Sequence, residues 1–465
     1  MEPIGPVDEV LEDIGFGKFH FRMLLLCAVG YFGVCSELLV AVFLELPLMH
    51  EFHLTPGEYA YLPCTVSVTS FLASCIAGKV ADKYGRSPVF SIALSLVAGG
   101  GFLCALCKSF WTFIMCRSLV GIGLGSLAVV DYVLFQEFCP PSQRRRYVYC
   151  VFAAGCLGVL YLAALAAFTP LGDKGKWPWL VIMAATPTVP IAILRKWFAL
   201  ESPHYLLTKG DIPAAYQTLQ SVARQNGSEA KLLQEIEFVR LVNQRLHSEP
   251  LAISRRGNLS AVLQHSPYRL TWPLASIWLF QSTAYWGLTL FLPRYFSRLG
   301  VPANRTLFLM VACELPGCIL SCWLVDHPKV GQVRTLRLNY IVSAAAALTL
   351  AFRIEKWAVA VLACLIYLFL IPNWGVLFIL TSESYPTELR ATALGFGQTL
   401  QGIPTIISPF VSARLVSLGD AYMLAWGSCL MVALAMSLLL AERTQTGSCS
   451  FFRMRSSEVP LRSPR

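Results

Sequence analysis

Apolar residues run along this chain in long unbroken stretches rather than with the two-residue alternation of a half-buried strand. Roughly twenty apolar residues in a helix cross the ~30 Å of bilayer hydrocarbon. Twelve segments meet that measure: 23–44, 59–78, 88–107, 111–135, 147–169, 179–199, 272–292, 307–325, 335–353, 358–380, 391–415 and 421–441. Runs such as Met23 to Leu26 and Ala344 to Ala347 do not alternate, whereas a barrel needs segments of about ten alternating residues. The pattern therefore predicts an all-α membrane protein of twelve transmembrane helices in two six-helix halves, 23–199 and 272–441. A segment 1–22, a linker 200–271 and a tail 442–465 flank and join them.

Composition agrees. The chain has 465 residues, 56% apolar and only 14% charged, against roughly 25% charged in an ordinary soluble domain. Its mean hydropathy of +0.59 excludes a water-soluble enzyme, because soluble domains must each present a polar skin. Most of the 37 Lys and Arg residues fall before the first span, in the 2–3 and 4–5 turns, in the linker and in the tail. Positively charged loops stay cytoplasmic, so both termini and the linker are expected there. The formal net charge of +10 then expresses this bias and not nucleic-acid binding. The acidic start, with Asp8, Glu9, Glu12 and Asp13, lacks the cationic region of a cleavable signal, so the first span is expected to direct insertion.

The sixteen cysteines lie nearly all within spans, where they read as small apolar residues, and no paired cysteines mark an outer loop. Cys104 and Cys107 make a C-x-x-C near the outer end of span 3, a redox or zinc signal only beside a second pair or a soluble redox fold. No metal or cofactor site is expected. The linker, with amphipathic helices over about 214–225 and 229–246, carries no phosphate loop and no catalytic grouping, so no enzyme activity is expected. Sequons at Asn226 and Asn258 fall on the cytoplasmic side. Asn304, before span 8, is the one placed to be glycosylated.

An internal repeat carries the first functional signal. Glu137-Phe138-Cys139-Pro140-Pro141-Ser142-Gln143-Arg144 closes span 4, and Glu383-Ser384-Tyr385-Pro386-Thr387-Glu388-Leu389-Arg390 closes span 10. Both read E-x-x-P-x-x-x-R, 246 residues apart. Transporters are commonly built from such parallel repeats, with the substrate between them near the midplane. Between spans 2 and 3, Gly78-Lys79-Val80-Ala81-Asp82-Lys83-Tyr84-Gly85-Arg86 makes a tight basic turn. It resembles the signature loop of the major facilitator superfamily, with Val80 in place of the usual Leu. In the second half, Cys322 to Lys329 keeps an aspartate and loses the Gly-Arg pair.

Further motifs are similar to the synaptic vesicle 2-related proteins and, less closely, to organic cation and anion transporters. They are Gly15-Phe16-Gly17-Lys18-Phe19-His20, Arg117-x-x-x-Gly121-x-Gly123-x-Gly125, Glu201-Ser202-Pro203 and Tyr385-Pro386-Thr387. The short connection between spans 1 and 2 favours the vesicle branch. The resemblance implies a secondary active transporter of a small organic solute, an organic ion, working by alternating access as a monomer in an intracellular vesicle or plasma membrane, with a coupling proton. A degraded terminal motif, Glu442 to Gly447, keeps open the alternative of a transport-deficient receptor on the same fold.

Charges inside spans mark candidate sites, since each costs about 2.5 to 3.5 kcal/mol at the helix centre on insertion scales. Glu37, Arg117, Asp131 and Glu314 are the candidates. Glu37 either binds a cation or proton or pairs with Arg117 to hold helices together. Glu314 precedes Pro316, where a broken helix frees carbonyls. Tyr31, Phe32, Tyr285, Trp286, Tyr367 and Trp374 are candidates for stacking on an organic substrate, holding a cation by their ring faces with Glu37. The glycines of span 4 read as helix-packing positions rather than a dinucleotide loop. A cytoplasmic gate is expected from Gly78, Asp82, Gly85, Arg86, Glu137, Arg144, Glu201, Glu383 and Arg390, paired between helix ends.

Overall fold

The computed structural model describes residues 6–168, 176–198, 200–248, 259–264, 270–327, 329–352, 355–385, 387–419 and 421–440. The tail expected at 442–465 and the sequon at Asn258 lie outside them. The N-terminal segment contains α1 (Pro6–Ile14), and the first half is built from α2 (Lys18–Glu51), α3 (Pro56–Tyr59), α4 (Tyr61–Tyr84), α5 (Arg86–Ala105), α6 (Phe110–Phe138), α7 (Arg144–Phe168), α8 (Trp177–Ala185) and α9 (Thr188–Phe198). The connecting segment contains α10 (Pro203–Thr208), α11 (Ile212–Asn226), α12 (Glu235–Ser248) and α13 (Leu259–Gln264). The second half contains α14 (Trp272–Leu290), α15 (Leu292–Arg298), α16 (Ala303–Ala312), α17 (Glu314–Asp326), α18 (Gly331–Thr349), α19 (Lys356–Leu370), α20 (Asn373–Ser384), α21 (Thr387–Leu415) and α22 (Ala421–Leu438).

These make twelve crossings, three of them broken in two: α8 with α9, α16 with α17, and α19 with α20. Prolines explain the breaks, because each removes a backbone donor and crowds the preceding turn, as Pro316 does at Cys313 between α16 and α17. Pro187 falls between α8 and α9, and Pro372 between α19 and α20. Nine candidate spans among the described residues pass a strict length and hydropathy test. Three crossings fall outside that set: α18 carries Arg334, Arg337 and Asn339, α21 carries charge and glutamines in its first half, and α14 carries Gln281. Outward-facing Leu72, Ile76, Ile92, Met115 and Ile319 are exposed, as lipid-facing side chains should be. The protein is a multi-pass membrane protein.

Glycines set the tightest helix contacts. A Cβ on Gly121 or Gly125 of α6 would run into the backbone of α4 at Val66 and Ser70, and one on Gly123 would meet the α5 carbonyl of Ala93 at 2.6 Å. The span-4 glycines are thus packing positions. The halves meet along two seams related by the repeat, α7 against α16 and α4 against α21.

The connecting segment docks on the first half. Val7, Val10 and Leu11 of α1 share a buried cluster with Phe19, Phe138, Leu219, Val222 and Phe238. The Asn226 amide, read from sequence as part of a sequon, accepts from Phe19 N–H at 2.9 Å and donates to the Gly15 carbonyl at 3.3 Å. The helix expected over 229–246 begins instead with a 3-10 turn at Glu229–Lys231 and becomes α-helical at Glu235.

Candidate functional site

Glu37 and Arg117 meet in the first half. Arg117 Nη1 forms an ion pair with Glu37 Oε2, and Nη2 donates to the Glu37 backbone carbonyl at 2.6 Å. The side chains are 0% and 1% exposed. The pair ties α2 to α6, the second of the two readings the sequence allowed. It leaves Glu37 Oε1 and Arg117 Nε without a hydrogen-bond partner. Gly101 of α5 makes the room: a Cβ there would stand 2.6 Å from Glu37 Oε1. A buried ion pair offsets the loss of hydration only when its hydrogen bonding is complete, and here it is not.

Glu314 lies on the seam between the halves. It opens α17, directly after the break at Cys313, and is hydrogen-bonded to Cys156 of α7. It is within electrostatic reach of Tyr285, Tyr367 and Cys35. The aromatic candidates divide. Tyr285 packs edge-on against Trp286 and Trp374, with centroids 5.2 and 5.9 Å apart. Through Trp278 and Phe378 these rings continue across the seam to Phe152 and Tyr31. Phe32 leaves this chain of rings and packs on Tyr161, while the Tyr367 hydroxyl donates to Thr289 Oγ1 at 3.2 Å. Glu314 is thus within reach of Tyr285 and Tyr367 and Asp131 within reach of Tyr31, while Glu37 is engaged with Arg117. Asp131 is buried in α6.

At the basic face, Arg86 Nη2 lies 3.0 Å from Glu137 Oε1. Glu201 accepts from the backbone N–H groups of Arg86 and Ser87 at 3.0 and 3.2 Å, closing the start of α5, where Gly85 takes φ +101°. A Cβ at Gly85 would collide with the Glu201 carboxylate. Gly78 lies in the last turns of α4. The side chains of Asp82, Arg144 and Arg390 lie outside the described residues. The repeat offset places Gly331 and Gln332 at the positions of Gly85 and Arg86. Gly331 keeps a positive φ of 69°, and Gln332 Nε2 donates to Glu383 Oε2 at 2.6 Å. The second-half turn thus keeps its glycine and its grip on the helix end, with an amide in place of a guanidinium. The offset already present in the sequence would have revealed it. These contacts join helix ends: Arg86 with Glu137 inside the first half, Gln332 with Glu383 inside the second, and Glu201 from the connecting segment to the start of α5.

Burial raises the Glu137 carboxyl above the ordinary carboxylate range, and the Arg86 guanidinium offsets only part of that. A carboxyl so raised binds protons more readily folded than unfolded, so its contribution to stability falls as pH rises through that range. Glu137→Gln is expected to raise the melting temperature at neutral pH, with the gain shrinking at mildly acidic pH. A lower melting temperature at neutral pH would show that the pair is net stabilising.

At the opposite face the halves are in contact. Glu45 of α2, fully buried, lies against Arg294 of α15, and Arg294 Nη1 is 3.3 Å from Met49 Sδ. Asn304 Nδ2 donates to the Ala166 carbonyl of α7 at 3.1 Å. That bond, within the first turn of α16, occupies the amide of the sequon expected to be glycosylated. Tyr59 packs on Phe291, Tyr61 on Phe410 and Phe168 on Phe308. Sequence reasoning missed Glu45, since its partner stands in the other half and no spacing signals it. Among the described residues no group of three metal-ligating side chains occurs.

Two six-helix repeats, a seam lined by rings and an acid, and a closed face opposite a basic turn define the architecture of a membrane transporter. The Major Facilitator Superfamily profile matches residues 25–409, and the chain belongs to that family. Among its relatives, the Synaptic vesicle 2-related protein of Xenopus laevis is 25% identical over 469 residues, 95% of this chain and 82% of the relative. The Niacin transporter NiaP of Acinetobacter baylyi is 24% identical, covering 94% of this chain and 97% of its own. An inward open, partially occluded structure of the xylose transporter XylE from E. coli shares the fold with a TM-score of 0.72 and 16% identity, over 93% of this chain and all of that one.

Proposed function

We propose that the protein is a secondary active transporter of a small organic cation, working by alternating access between halves bounded near 23–199 and 272–441 and coupled to a proton. The observation that carries the reading is Glu314 at the seam, hydrogen-bonded to Cys156 of the first half and within reach of Tyr285 and Tyr367 of the second, where a line of rings crosses to Phe152 and Tyr31. A cation among these rings gains about 0.5 to 2 kcal/mol per ring face and the part of the Glu314 carboxylate's attraction that exceeds the cost of desolvating both charges. Glu37 is the proton candidate: protonating it breaks its pair with Arg117 and loosens α2 from α6. The intact geometry at Gly331-Gln332 favours a working transporter over a receptor. With the basic face cytoplasmic, the contacts at Glu45, Asn304 and Tyr59 close the outer side, an inward-facing state. Relatives named for synaptic vesicles support an intracellular vesicle membrane as its place.

The test is uptake into proteoliposomes under a pH gradient, comparing tetraethylammonium with nicotinate. Tetraethylammonium should accumulate, and Glu314→Gln should raise its KM about tenfold, the equivalent of 1.4 kcal/mol. Glu37→Gln should abolish the dependence on the gradient and retain exchange. Accumulation of nicotinate alone would overturn the cation assignment, and no transport of either by folded protein would return the reading to a receptor.

A further inference from the structure

Cys107 follows α5 in the turn to α6, and Cys116 lies two turns into α6. Their Sγ atoms are 3.6 Å apart, and both are half-buried free thiols, whereas Cys104 is completely buried. The motif noticed in the sequence, Cys104 with Cys107, is therefore not the pair the fold makes. Cys107 instead finds a cysteine hidden inside the next span. We infer that Cys107 and Cys116 are a disulfide site on the non-cytoplasmic face. The inference rests on the orientation in the reading above. Because α5 begins at the basic turn and is 20 residues long, about 30 Å, its far end reaches the opposite face. Disulfides persist there and not in the cytosol.

The chemistry is thiol–disulfide exchange with a disulfide-bearing oxidoreductase of the oxidising compartment. The Cys107 thiolate attacks one sulfur of the partner's disulfide, forming a mixed disulfide and expelling the partner's other sulfur as a thiolate. The Cys116 thiolate then displaces the first sulfur. Two protons leave the protein, and the two electrons reduce the partner to a dithiol. The closed ring spans the α5–α6 turn and ends beside Arg117, so it fixes the helix start from which Arg117 reaches Glu37.

Trypsin cleaves after Arg86, Lys108 and Arg117, which separates the two cysteines into peptides 87–108 and 109–117. Protein taken from membranes in N-ethylmaleimide, digested without reductant, should yield these peptides joined through Cys107 and Cys116. Reduction should separate them and lower the melting temperature of wild type but not of Cys116→Ser. Recovery of both cysteines as maleimide adducts would overturn the inference, as would a link through Cys104 instead. An epitope tag after Leu418, read in sealed vesicles, separates the causes. If the tag is cytoplasmic, the orientation fails with the inference, and if it is not, only the disulfide fails.

Discussion

Arg117→Leu should abolish uptake and lower the melting temperature more than Glu37→Gln does. The substitution leaves the Glu37 carboxylate buried with its counter-ion gone, and removal of one partner of a buried pair costs about 3 to 5 kcal/mol. Glu37→Gln leaves an arginine that still donates to the residue-37 carbonyl, as it does now at 2.6 Å, so its cost is smaller. The double variant Glu37→Gln/Arg117→Leu buries no uncompensated charge and should recover most of the lost stability while uptake stays absent. Thermal unfolding and proteoliposome uptake on the same preparations check this. Equal stability of Arg117→Leu and the double variant would show that the pair carries no such penalty, and transport by the double variant would remove the pair from the mechanism.

The second large effect is expected at Gly125. A Cβ there would overlap the Ser70 carbonyl oxygen and stand 2.6 Å from its carbon and 2.7 Å from Cα. All three are backbone atoms of α4, which cannot rotate aside as a side chain would. Helix propensity alone would favour valine over glycine by only about 0.3 kcal/mol, so the sign is decided by the clash. Gly125→Val should force α4 and α6 apart and cost at least the 1 to 3 kcal/mol of an overpacked core, with loss of folded protein on purification. Gly99, which has no atom within 4 Å of its Cβ direction, is the control: Gly99→Ala should match or exceed wild-type stability. Normal folding of Gly125→Val would contradict the close approach of these helices.

The crossings were legible because lipid imposes one length and one polarity on every helix. That is why even α18, which begins near Arg334 and Arg337, was found from its later apolar residues. Breaks inside crossings were less legible. Pro316 drew attention, and the chain does break in the turn before it, at Cys313, although α17 then runs on through the proline. Glu37 and Arg117 each stood out as a charge in an apolar run, and their pairing was one of two readings that only the packing of α2 on α6 could separate. Glu314 also stood out alone, and its partner Cys156 looked like any small apolar residue. Cys116 was invisible as a partner for Cys107 for the same reason. Gln332 is not legible by residue type, because the second repeat drops the Gly-Arg pair and preserves only the position and its hydrogen-bonding role toward Glu383.

The central claim is that the halves exchange which face is closed. Spin labels at Glu58 and Leu299, exposed on the face opposite the basic turn, and at Tyr84 and Lys329 on the basic face, report the two openings by double electron–electron resonance in nanodiscs. Between mildly alkaline and mildly acidic pH, the first distance should lengthen in a fraction of molecules as the second shortens, and Glu37→Gln should remove that response. Two distances that stay fixed, or that lengthen together, would contradict the account.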